Sequence, residues 1–150
     1  MSNSTTFDPN VFAETAVEGE MSTRFEPVEE GDYEAFIEKF EVREVNNGGV
    51  VLDVHWSITD EELKSKMNLE NITIRQGIFL DIEDGKLVIG PNKNIKLGRL
   101  REALGQNKSG KPWSFNDLTG AGPCTIHVTQ RPDKNDPTVI YNDVGRVSAA

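Results

Sequence analysis

Apolar and polar side chains alternate along three segments of the chain, and this alternation predicts β-strands. The clearest segment is "VVLDVHWSI", residues 50–58, whose one face is entirely apolar and consists of Val50, Leu52, Val54, Trp56 and Ile58. The other face is largely polar, as in an antiparallel strand that buries only one side. The same alternation recurs over residues 71–82 and 124–130, and we expect these residues and residues 138–147 to form strands as well.

Residues 32–42, "DYEAFIEKFEV", fit two periodicities. Their apolar side chains suit one face of a helix, but they also suit a strand with one β-bulge between Ile37 and Phe40. We favour the strand because aromatic and β-branched residues dominate the segment. The sequence "NNGG", a hairpin signal, also follows it directly.

Two helices and a tight hairpin are predicted between these strands. The sequence "TDEELKSKM" favours a short helical turn that Thr59 caps. A second helix should begin after Pro91 with an asparagine cap and end at Gly105. Its apolar face would consist of Leu97, Leu100 and Leu104. The dipeptide Asp84–Gly85 predicts the turn of the small hairpin.

Taken in order, these elements predict a mainly β protein. Five principal strands with one helix between the third and the fourth is the order of an OB-fold. We therefore expect residues 29–150 to form a five-stranded OB-fold-like Greek-key barrel. Residues 1–28 are polar and acidic without periodic apolar spacing, and we expect them to form a flexible acidic N-terminal arm.

The charge of the chain is unevenly distributed, although its formal net charge is −9. Residues 1–45 contain twelve Asp and Glu against three Lys and Arg, so that segment carries the whole net charge. Residues 91–115 have the opposite character, with six Lys and Arg against one Glu. Residues 1–45 are therefore acidic, and the rest of the chain has no net charge but contains one concentrated basic stretch.

The basic stretch has the two ingredients that single-strand binding requires, which are cations for phosphates and flat side chains for bases. Its candidate binding residues are Lys93, Lys96, Arg99, Lys108, Lys111 and Trp113. Trp113 has polar neighbours and is expected to be exposed, whereas Trp56 should lie in the core. The competing interpretation is that a solvated helix face and a polar loop produce this charge without any ligand.

A second candidate cluster lies on the third strand, where Arg75 and Phe79 share the face opposite the isoleucines. In OB-folds the surface around the second and third strands is the usual nucleic-acid platform, and His55 could join it. The alternative is that Phe79 packs under the arm or the small hairpin. Arg131 and Lys134, between the last two strands, are further binding candidates.

Catalytic and metal-binding patterns find no support in the sequence. His55 and His127 lie on separate predicted strands, and Cys124 is the only cysteine. No cluster has metal-ligand spacing, so we expect no enzyme activity, no metal and no cofactor. The chain has neither a run of roughly 20 apolar residues nor a signal-peptide pattern, so we expect a cytoplasmic protein without a membrane partner.

Several short motifs resemble a family of small phage-encoded single-stranded DNA-binding proteins. They are "G-x-Y-x-x-x-I" at residues 31–37, "ALG" at 103–105, "L-x-G" at 118–120 and "YN-x-V" at 141–144. The similarity covers roughly residues 29–147. It implies an OB-like protein that coats or escorts single strands during phage DNA replication or recombination in the host cytoplasm. The C-terminus "RVSAA" departs from the acidic tail of many single-strand binders.

We therefore expect a sequence-tolerant single-stranded DNA-binding protein that acts by phosphate neutralisation and base stacking. The alternative is an OB-like interaction module that binds a basic protein partner rather than DNA, and a nuclease-type enzyme is a weaker third option. The arm could compete with DNA for the basic surface, recruit a recombinase or replication protein, or only increase solubility. Oligomerisation is left open.

Overall fold

Five antiparallel strands form the main sheet of the computed structural model, which describes residues 7–150. In chain order the strands are β1 (Gly31–Glu44), β2 (Val50–Ile58), β3 (Thr73–Leu80), β4 (Ile82–Glu83), β5 (Lys86–Leu87), β6 (Cys124–Pro132) and β7 (Ile140–Ala149). The main sheet has the order β3-β2-β1-β6-β7, and the two short strands β4 and β5 pair separately. The predicted mainly β class and the five principal strands are confirmed.

The sheet is not closed into a barrel in the described part of the chain, because its edge strands β3 and β7 are not hydrogen-bonded partners. The two edges nevertheless come within 8 Å of each other, measured between Cα atoms. The predicted strand over residues 32–42 is confirmed as part of β1. Its pairing with β2 shifts register between Ile37 and Lys39, at the predicted β-bulge.

The core lies on one face of the sheet, where the alternating apolar side chains of β1, β2, β3 and β6 meet. Trp56, Ile37 and Ile126 are fully buried there, and each buried aliphatic side chain contributes about 1.5–3 kcal/mol. The prediction that Trp56 belongs to the core is confirmed. Its indole Nε1 donates a hydrogen bond to Gln76 Oε1 at 2.9 Å, so its one polar atom is satisfied.

The described residues also form three helices and one 3₁₀ turn, namely α1 (Pro9–Glu14), α2 (Glu61–Met67), α3 (Ile95–Ala103) and the turn Phe115–Leu118. Leu97 and Leu100 of α3 are buried, and Gly105 follows the helix with a φ of +72°, as predicted. The predicted cap of α2 was wrong by one residue. Asp60, not Thr59, accepts a hydrogen bond from the Leu63 amide.

The packed body begins at Val28, one residue before the predicted boundary of the folded domain. Val28 is buried, and its backbone amide donates to Asn142 Oδ1 at 2.8 Å. Asn142 Nδ2 donates back to the Val28 carbonyl at 2.9 Å, which anchors the end of the arm to β7. Residues 7–26 are all exposed, whereas residues 1–6 of the predicted arm lie outside the described residues. The predicted flexibility of the arm stays a prediction.

None of the helices within residues 7–150 combines the length and the apolar character that crossing a membrane requires.

Candidate nucleic-acid interface

An open groove with a volume of about 760 Å³ lies beside α3. Its walls are the segment Leu87–Ile95, the solvent-facing side of α3 and the loop Asn107–Trp113. Five cationic side chains line it, and we call it the basic groove after them: Lys93, Arg99, Arg101, Lys108 and Lys111. The fold therefore gathers into one concave surface most of the cations that the sequence places in residues 91–115.

The basic groove concentrates positive charge. Glu102 is the one acidic residue among its lining residues, so five cations and one carboxylate leave a formal charge of +4. Concave surfaces that carry one sign of charge focus the field and attract ions of the opposite sign. Lys96 is exposed on α3 but is not among the lining residues, so the structure separates it from the other predicted cations.

Trp113 stands at the wall of the groove, half-buried rather than exposed as predicted. Its indole Nε1 donates to Gln106 Oε1 at 2.9 Å, and its ring meets the Phe115 ring edge-on with centroids 5.1 Å apart. The Arg101 guanidinium carbon lies 4.4 Å from the Trp113 ring centroid in a cation–π contact. Arg101, which was not among the predicted binding residues, therefore covers one face of the ring.

Asn94 attaches the small hairpin to the start of α3. The Asn94 amide donates to Asp81 Oδ2 at 2.7 Å, and the Asn94 side-chain oxygen accepts from the Asp81 amide at 2.8 Å. Its side-chain nitrogen donates to the Asp81 carbonyl at 3.0 Å and to the Val88 carbonyl at 2.8 Å. Asn94 occupies the predicted cap position of α3, but its side chain holds the small hairpin instead of capping the helix.

Two exposed isoleucines add an apolar surface to the basic groove. Ile89 is 94% exposed at the end of the small hairpin, and Ile95 is exposed at the first turn of α3. Both belong to the lining residues of the groove. The groove therefore presents apolar side chains next to its cations, which suits a ligand that alternates charged and apolar groups.

A second surface lies on the outward face of the main sheet. Phe79 is 71% exposed there, so the alternative that it packs under the arm or the small hairpin is wrong. Strand register places Phe79 opposite Val51, and Val51 opposite Arg43 of β1. Arg75, also exposed, lies opposite the half-buried His55. We call this surface the sheet face, formed by Arg43, Asp53, His55, Arg75 and Phe79.

Asp53 lies between two arginines of the sheet face. It is only 3% exposed, although it lies on the face that the sequence pattern marks as polar. Arg43 Nε donates a hydrogen bond to Asp53 Oδ2, and Arg75 Nε lies 3.9 Å from Asp53 Oδ1. The carboxylate therefore binds the guanidinium group of Arg43 from β1 by a hydrogen bond and lies within ion-pair distance of Arg75 from β3, on the other side of β2.

The end of β6 and the loop that follows it are a weaker part of the predicted interface. Arg131 Nε donates to Asp143 Oδ2 at 2.8 Å, and this hydrogen bond raises the pKa of Arg131. Its guanidinium carbon also lies 5.2 Å from the Tyr141 ring centroid. The charge of Arg131 is therefore balanced by a partner, while Lys134 is exposed in the loop. Neither residue lines the basic groove.

The same loop has a tightly bonded acidic turn. The backbone amide of Asn135 and the hydroxyl of Tyr141 donate to Asp133, and these hydrogen bonds hold the pKa of Asp133 below its usual range. The same contact raises the pKa of Tyr141, because it favours the protonated phenol beside a carboxylate.

Metal-binding groups and the single cysteine were the remaining candidates for a site in the described residues. Within residues 7–150, no three His, Cys, Asp or Glu side chains are grouped so that they could hold a metal ion. Cys124 is buried, and burial raises the pKa of its thiol.

No protein-family model matches the chain, and no curated protein matches it either. The resemblance to phage single-stranded DNA-binding proteins therefore stays a prediction.

Proposed function

We propose that this protein binds single-stranded DNA without strong sequence preference and without catalysing a reaction. The observation that carries the proposal is the basic groove, where five cations from three segments of the chain converge on one open surface. Such a groove suits a flexible polyanion, because phosphates repeat along the strand and can meet successive cations. Binding would release counterions from the strand, which supplies much of the free energy of association.

The basic groove and the sheet face make different contacts with the strand. The cations of the basic groove neutralise phosphates, while Ile89 and Ile95 contact the apolar parts of sugars or bases. One face of the Trp113 ring is occupied by Arg101, so base stacking falls mainly to Phe79 on the sheet face. Arg75 lies on the same face as Phe79 and meets a phosphate beside the stacked base, whereas the charge of Arg43 is balanced by its hydrogen bond to Asp53.

We further propose that the fold is a partly open OB-fold barrel. The sheet order β3-β2-β1-β6-β7 and the nearness of the two edge strands support this assignment. The position of α3 in the chain, between β5 and β6, also supports it. In that fold the surface around the second and third strands is a nucleic-acid platform, which agrees with the sheet face. A role in phage replication or recombination rests on the resemblance alone.

The proposal is tested by titrating fluorescently labelled oligo-dT with the full chain and following anisotropy at several salt concentrations. If all five groove cations meet phosphates, the logarithm of the binding constant falls with the logarithm of salt with a slope of about −3.5. Absence of binding at low salt would contradict the proposal. That result would favour the second candidate, a module whose exposed acidic arm binds a basic protein.

A further inference from the structure

The exposed N-terminal segment combines acidic and apolar side chains. Residues 7–26 contain five Asp and Glu against a single Arg24, a formal charge of −4. The same segment exposes six large apolar side chains, namely Phe7, Val11, Phe12, Val17, Met21 and Phe25. A segment that served only solubility would gain nothing from this apolar surface, since exposed apolar groups oppose solubility. The composition is instead that of a docking segment for a basic surface with apolar contacts.

The basic groove is a surface of that kind on the same chain. Its formal charge of +4 matches the −4 of the segment, and Ile89 and Ile95 offer apolar partners for phenylalanine rings. The Phe7 and Phe12 rings lie 5.1 Å apart at the start of α1, so they form one compact apolar group beside Asp8. The segment therefore presents the groove with negative charge and aromatic rings, the same chemistry as a single strand.

The segment is long enough to reach the groove. The arm is anchored where Val28 meets Asn142, and Ala149 lies seven residues further along β7, about 23 Å away. Ala149 pairs with Cys124, whose sulfur lies 3.6 Å from the carbonyl of Ala103 at the end of α3. The fifteen residues between Phe12 and Val28 can span about 50 Å when extended, or about 21 Å as a flexible chain.

We propose that residues 7–20, the part of this segment that lies far enough from the Val28 anchor, dock into the basic groove of their own chain and compete there with single-stranded DNA. Docking needs only the charges and apolar side chains described above, whereas the competition rests on the proposed function. A tether of this length holds the segment at an effective concentration in the millimolar range, so even weak contacts keep the groove partly occupied. Single-stranded DNA must displace the segment before it can bind. A polyanion that binds weakly therefore occupies the groove only at a higher concentration.

Docking is tested directly and without DNA. A nitroxide is attached to the full chain at Ala13→Cys, because the native Cys124 is buried and burial raises the pKa of its thiol. At low salt we expect the label to broaden the amide resonances of Gln106–Trp113, and the broadening should disappear in about 0.5 M salt. The double variant Lys108→Glu, Lys111→Glu should reduce it at least threefold, and Lys134→Glu outside the groove should not. Absence of broadening at low salt would overturn the proposal.

A mixed sample separates docking within one chain from contact between copies. Labelled protein without ¹⁵N is combined with unlabelled ¹⁵N protein, and the groove resonances of the second are recorded. Docking within one chain predicts no broadening there, and broadening equal to that of the directly labelled sample would overturn the assignment to the same chain.

The competition has a separate readout, so its failure cannot be confused with a failure of docking. The triple variant Glu14→Gln, Glu18→Gln, Glu20→Gln should bind oligo-dT about three- to tenfold more tightly than the natural chain. The control Glu61→Gln, Glu62→Gln, Glu70→Gln changes the net charge equally at exposed positions outside the arm and should bind as the natural chain does. Equal gains in both variants would show a general charge effect and overturn the competition.

Discussion

Phe79 is the residue whose exposure most directly bears on base stacking. Its ring is 71% exposed on the sheet face, so replacing it removes little packing from the core. We expect Phe79→Ala to weaken oligo-dT binding by about 1–3 kcal/mol, because a stacked base loses its partner. The thermal unfolding midpoint should stay nearly unchanged. Phe79→Trp is the matched control and should keep the affinity, since any flat ring can stack.

Asp53 shows how much a single buried carboxylate contributes when an arginine is hydrogen-bonded to it. We expect Asp53→Asn to lower the free energy of unfolding by about 1.5–3 kcal/mol, because the hydrogen bond to Arg43 loses its charge. The control Asp143→Asn breaks an exposed pair with Arg131 and should cost less than about 1 kcal/mol. Urea denaturation of both variants gives the comparison, and equal losses would contradict the role of burial at Asp53.

The pairing of Arg43 with Asp53 could have been predicted from the sequence, but only by also working out the register between β1 and β2. Alternation along β2 places Asp53 correctly on the outward face, and the "NNGG" signal places the turn. Counting outward from that turn pairs Glu44 with Val50 and sets Arg43 diagonally beside Asp53. The burial of Asp53 is harder to predict, because it depends on long side chains from two neighbouring strands that fold over it.

At the scale of the elements, Asn94 is the link between the small hairpin and α3. Its side chain makes three hydrogen bonds, to the amide and carbonyl of Asp81 and to the carbonyl of Val88. We expect Asn94→Ala to destabilise the protein by about 1–3 kcal/mol and to weaken oligo-dT binding, since one wall of the groove loses its attachment.

Asn92→Ala is the matched control for this change. Asn92 and Asn94 both have a left-handed φ, of 63° and 51°, so alanine is strained at either position. Because Asn92 is exposed, the loss of stability in Asn92→Ala should come from the strained backbone alone. If chemical denaturation gave the same loss of unfolding free energy for both variants, the side-chain hydrogen bonds of Asn94 would not be what attaches the small hairpin to α3.

The elements were predictable to different degrees for physical reasons. Strands with one buried face leave a period of two in the sequence, and β2 and β6 accordingly follow the predicted segments closely. Helix caps depend on single side chains whose partners can lie elsewhere, so Asn94 looked like a cap and serves the hairpin instead. Trp113 looked exposed because its sequence neighbours are polar, but Arg101 and Phe115 reach it from other elements.

On the scale of the whole molecule, acid and base occupy different regions. The acidic residues are concentrated before residue 45, and the basic groove draws its cations from residues 93–111. The negative net charge of the whole chain therefore does not describe the positively charged surface that a polyanion would meet. The groove itself was not predictable from the sequence, because its shape depends on how the hairpin, α3 and the following loop are placed. Four of its five cations were among the predicted residues, because they are close together in the chain, whereas Arg101 was missed and the predicted Lys96 lies outside the groove.

The central claim, that the basic groove binds phosphates, is tested most directly by the salt dependence of paired variants. Lys108→Gln with Lys111→Gln removes two groove cations, and Lys64→Gln with Lys66→Gln removes the same charge from α2. Oligo-dT affinity is measured for both variants and the natural chain over a range of salt concentrations. We predict that the groove variant loses about 1.4 from the steepness of the salt slope while the α2 variant keeps it. Equal slopes for the groove variant and the natural chain would contradict the claim.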